Sequence, residues 1–176
     1  MNWTDLYKSN KPLLNSLLSG LFYFVFSWSL DFGEGTKVLF MILMLFLPGL
    51  TFPLTTSYYK TTNSSFSEIR KISHLALSII IYHGSVWLFS GEGRIKYITV
   101  LAGLLGSLTF LLATKYILKI NISLIRVLLT SVLSGLAFLQ YEWNGHQGLV
   151  MGISIILWTL LNGLALNVEY RKAIYS

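Results

Sequence analysis

Polar side chains recur four apart in three stretches of this chain: Asn15, Ser19 and Tyr23; His74, Ser78 and Tyr82; Thr130 and Ser134, with Phe138 breaking the third series. Spacing of four puts each series on one face of a helix. A column of amide, imidazole, hydroxyl and phenol groups in apolar surroundings has two physical uses. It can line a hydrophilic path, since polar groups are costly in lipid and turn towards an interior or a water-filled cavity. It can also bond helices together, and Ser16-x-x-x-Gly20 and Ser131-x-x-x-Gly135 supply the small-residue contact faces that such packing uses. Either use predicts that Ser19, Ser78 and Ser134 face inward toward a common axis or cavity.

Other chemistry is sparse. His83 has no counterpart in the other two stretches, where Phe24 and Leu139 stand in its place. Imidazole is the side chain suited to charge changes near neutral pH, which makes His83 a candidate titratable site, with hydrogen-bonded packing as its plainer role. Glu142 and His146 lie four apart, but Asn144-Gly145 is expected to end the helix between them, and a closed zinc site wants four ligands. No HExxH, GxSxG or helically spaced carboxylate pair is present, and there is no cysteine. Catalytic residues, metal ligands and cofactors are therefore not expected. All seven carboxylates fall in loops or at the ends of apolar stretches, which argues against carboxylate-based proton coupling.

The elements that must position these groups follow from composition. Of 176 residues, 54% are hydrophobic, 15% aromatic and 11% charged, whereas soluble domains average about 25% charged residues. The class indicated is an all-α, polytopic integral membrane protein. A spanning helix needs about 20 mostly apolar residues, and six runs qualify, approximately Leu13 to Leu30, Val38 to Tyr58, Ile72 to Phe89, Tyr97 to Leu118, Ile122 to Tyr141 and Leu149 to Asn167. Pro48, Gly49 and Pro53 predict a kink in the second span, because proline removes a backbone donor.

Charge sets the orientation. Ten Lys and Arg fall on the side of the N-terminus, the 58–72 loop, the 115–126 segment and the C-terminus, against Lys37, Arg94 and Lys96 on the other. The positive-inside rule then puts both termini in the cytoplasm, in a bacterial inner membrane as the expected location. Arg126, one turn inside the fifth span, is expected to reach the headgroups by its stem. Glu34 and Glu92 stand beside the three outer cations, so an acidic ring there would be largely cancelled. The net charge of +6 serves orientation, and no basic patch or motif points to nucleic acid.

The chain also repeats. Gly33-Glu34-Gly35 and Gly91-Glu92-Gly93 share an offset of 58, and eleven of the 26 positions from Gly33 to Tyr58 are identical at that offset. A weaker third copy follows at 54, with Gly145, Leu166 and Tyr170 under Gly91, Leu112 and Tyr116. Ser16 to Leu21 and Ser131 to Leu136 share Ser-x-Leu-Ser-Gly-Leu. The expected architecture is a single domain of three tandem helical hairpins, about 12–60, 71–118 and 121–170, around a pseudo-threefold axis. Trp28, Trp87 and Trp143 then form an outer aromatic belt. The functions open to such a protein are a small-solute or ion channel or transporter, a noncatalytic subunit or scaffold of a larger complex, and a triggered membrane-permeabilising effector. Expected partners are the lipid bilayer and a second copy or another membrane protein.

Overall fold

The computed structural model describes residues 3–29, 68–90, 97–144 and 148–175. The second apolar run, with Pro48, Gly49 and Pro53, lies outside the described residues, as do the Gly-Glu-Gly turns and His146. Helix accounts for 91% of what is described, and no strand occurs among those residues. The helices are α1 (Trp3–Ser9), α2 (Lys11–Ser29), α3 (Glu68–Ser90), α4 (Ile98–Ile117), α5 (Leu124–Leu136), α6 (Leu139–Trp143) and α7 (Gly148–Tyr175). Among the described residues three stretches are long and apolar enough to cross a membrane: Ile98–Ile117, Leu124–Trp143 and Gly148–Lys172. They are compatible with a membrane protein.

The fifth apolar run, read from sequence as one helix, is two. At Ala137 and Phe138 the ladder tightens, Phe138 N–H donating to the Gly135 carbonyl three residues back at 3.0 Å. The bend seats the buried Phe138 ring against α4, where a side chain at Gly103 would come within 2.5 Å of it. It also turns α6 so that Glu142 accepts from the Thr99 N–H at 3.2 Å and from the Thr99 hydroxyl. Tyr97, the residue before α4, offers no side-chain cap. Glu142 therefore does from a distance what an N-cap does locally, satisfying an orphan donor and facing the positive end of the helix.

Neighbouring helices run antiparallel. Asn10 to Asn167, Ser16 to Gly163 and Phe24 to Gly152 mark successive levels of the α2/α7 contact. His74 to Thr114 and Ser85 to Gly106 do so for α3/α4, and Arg126 to Glu169 for α5/α7, continued by Gln140 of α6 to Ser154. Among the described residues α3 packs on α4, α4 on α5, α5 on α7 and α7 on α2. The beginnings of α2, α3 and α5 and the ends of α4 and α7 consequently share one end of the molecule.

That end holds the apolar core. Phe110, Leu111, Leu118, Ile120, Ile122, Val127, Ala165 and Leu166 form a buried cluster in which the α4–α5 turn is itself a part. Turn residues that are apolar and fully covered need their backbone satisfied, and the Lys115 ammonium donates to the Ile122 carbonyl. Away from this cluster the helices meet through glycine and hydroxyl residues. Gly20 lies against Ile156 and Thr159, and Gly135 against Val100 and Leu104.

Candidate functional site: a buried polar seam

The three sequence columns occupy three interfaces. Ser19 and Tyr23 are buried on α2, whose packing partner along its length is α7. Asn15 is only partly buried, and its carboxamide oxygen accepts from the Tyr7 hydroxyl of α1 at 3.3 Å. His74 and Ser78 are buried on α3 against α4. Thr130 and Ser134 are buried on α5 between α4 and α7. Tyr82 and His83 are half-buried, their rings edge to face at 5.6 Å.

The most extended hydrogen-bond chain among the described residues centres on Asn162 of α7, which stands outside the three polar columns. The Ser107 hydroxyl on α4 donates to Asn162 Oδ1 at 2.8 Å, and Asn162 Nδ2 donates to Ser134 Oγ on α5 at 3.2 Å and to the Trp158 carbonyl at 2.8 Å. Ser107, Ser134 and Asn162 are all fully enclosed, at 0% exposure. One amide thereby ties three helices with three of its bonding positions used. One turn earlier the Trp158 indole donates to the Gly103 carbonyl at 2.9 Å. A mid-span asparagine is the sequence signal that identifies this centre, because an amide in an apolar run must find partners or carry a desolvation cost.

The His74 site is defined by the direction of its bonds. Thr114 Oγ1 lies 2.9 Å from His74 Nε2 and donates its own proton to the Phe110 carbonyl at 2.8 Å. A hydroxyl has one proton, so the imidazole must be the donor to Thr114 and carries its hydrogen on Nε2. Nδ1 is then a buried acceptor, and it meets no donor among the described residues. Ser78 donates to the His74 carbonyl at 2.7 Å. A nucleophilic hydroxyl would give its proton to a base; here both hydroxyls give theirs to backbone carbonyls. The arrangement fixes two helices and activates neither oxygen.

A second missed group is ionic. Arg126 has a partner that its place in the sequence does not announce. Its guanidinium pairs with Glu169 of α7, a nearly buried carboxylate that also takes Lys172 at 3.2 Å. Glu169 lies beyond the apolar run, where composition reads a span end, and only the continuation of α7 to Tyr175 brings it opposite Arg126. Among the described residues no three His, Cys, Asp or Glu side chains gather as metal ligands. No protein-family model, no curated protein and no solved structure matches the chain.

Proposed function

We propose that the chain is a multi-pass integral membrane protein that acts as a noncatalytic subunit or scaffold, its polar seam serving as interhelical glue. The observation that carries this reading is the Ser107–Asn162–Ser134 chain. Its groups spend their bonds on one another, without exposure to solvent. A conducting path would need some of these groups turned to water.

Three features support the membrane and repeat parts of the proposal. Ile125, Leu128, Leu129, Val132, Leu133 and Leu136 leave one side of α5 apolar and exposed, as a lipid-facing surface would be. The packing of α4 on α5 is repeated by α7 on α2, an even span on the odd span of the next hairpin in cyclic order. Ser16 donates to the carbonyl of Pro12 and Ser131 to that of Val127, each at 2.7 Å and at positions 115 apart, four residues before the two matched glycines. These equivalences favour six spans in three hairpins, and the distribution of Lys and Arg favours the cytoplasm for the cation-rich end and both termini.

The channel or transporter reading keeps one observation, the His74 Nδ1 lone pair left for a mobile donor. One experiment separates the two. Purified protein in liposomes should pass neither monovalent ions nor small neutral solutes, and Ser78→Trp should lower its stability. Solute flux by the unaltered protein that Ser78→Trp abolishes while the fold survives would sink the scaffold reading.

A further inference from the structure

All nine described Lys and Arg residues lie at one end of the molecule: Lys8, Lys11, Arg70, Lys71, Lys115, Lys119, Arg126, Arg171 and Lys172. Three carboxylates share that end. Two of them are already engaged, Glu68 by Lys71 at 2.8 Å and Glu169 by Arg126 and Lys172. Asp5, on α1, is the third. A large positive excess therefore faces outward. It is concentrated where the α4–α5 turn approaches the end of α7. Lys119 is exposed on that turn, Arg171 is exposed on α7, and Arg126 between them keeps 29% of its side chain open although paired.

The surface beside these cations is apolar. Tyr116, Leu124, Ile125, Leu128 and Leu129 are more than half exposed, so cations and an aliphatic wall meet at the level where a span leaves the hydrocarbon. A free anion would use only the first of these. A phosphodiester carrying acyl chains uses both, with its headgroup at the cations and its chains along α5.

We propose that this edge, formed by Lys119, Arg126 and Arg171 above the outer face of α5, is a binding site for an anionic phospholipid. The proposal rests on the membrane reading given above, and the test keeps the two apart. The full chain is reconstituted in vesicles of phosphatidylcholine alone and of equal parts phosphatidylcholine and phosphatidylglycerol, and spin-labelled forms of each lipid report their relative association with the protein. The expected result is a preference for phosphatidylglycerol of up to about 30-fold, the equivalent of engaging both Lys119 and Arg171, falling as salt is raised. Lys119→Gln with Arg171→Gln, both at exposed positions and without effect on the fold, should bring the ratio towards one. Equal association of the two lipids, or a preference that survives the double variant, overturns the site. So does displacement of the labelled lipid by millimolar inorganic phosphate, which would mean that a free anion suffices. Failure of the protein to float with vesicles of either composition overturns the membrane reading itself.

Discussion

Asn162→Ala is the perturbation with the most to decide. It deletes the acceptor of the Ser107 hydroxyl and the donor to Ser134 Oγ, two bonds that cross between helices, together with one bond to its own preceding turn. Interhelical bonds in membranes are worth about 0.6 kcal/mol on average and up to about 1.7. Two of them give roughly 1 to 3 kcal/mol, with the vacated side-chain volume pushing the total towards the upper figure. The loss corresponds to roughly a fivefold to 150-fold shift in the folding equilibrium. Reversible unfolding in mixed micelles, followed by far-UV circular dichroism, measures it. A cycle with Ser107→Ala should return a coupling of about 0.6 kcal/mol for the one shared bond. If Asn162→Ala left stability unchanged, or the cycle showed no coupling, the seam would not be the glue inferred from its geometry.

Four further outcomes are expected. Gly135→Ala should destabilise by roughly 1 to 3 kcal/mol, because the added carbon would lie 2.9 Å from both Leu104 Cβ and the Val100 carbonyl. Gly84→Ala meets nothing within 4 Å and should be neutral or stabilising by up to about 1 kcal/mol; the same unfolding assay reads both. Glu169→Gln strands a partly buried guanidinium and should cost about 1 to 2 kcal/mol after screening, while Glu68→Gln, at an exposed pair, should cost well under 1. The chain has no cysteine, so single cysteines report topology directly: in intact cells an impermeant maleimide should label Asn144→Cys and spare Lys119→Cys, and the reverse pattern would invert the orientation.

Helix class, and the limits of α2 and α4 to within two residues, follow from apolar run length; α1 has no apolar run behind it, and α3 and α7 extend past theirs into polar sequence. The burial of Ser19, Ser78 and Ser134 was legible from a four-residue period among apolar neighbours, whereas the described residues place them in separate interfaces and not around one shared cavity. What composition does not encode is pairing. Asn162 and Ser107 are 55 residues apart and become one site only when α4 and α7 flank α5. Glu142 reads as a polar residue near a span end until the bend at Phe138 aims it at Thr99. The join of Arg126 to Glu169 likewise depends on α7 running past its apolar stretch. Periodicity reports which face of a helix is turned inward, and the identity of the helix met there is a property of tertiary order.

The partnership of α2 with α7 sets a timetable. Gly20 on α2 lies against Ile156 and Thr159, yet 118 residues separate Ser29 from Gly148. At a synthesis rate of about 5 to 20 residues per second, the first long helix waits roughly 6 to 24 s before its mating surface exists. During that interval its small-residue face is open to any passing helix. A newborn chain is therefore most receptive to a foreign partner through its first long helix, and most easily diverted from its own fold, in the seconds before the last helix emerges.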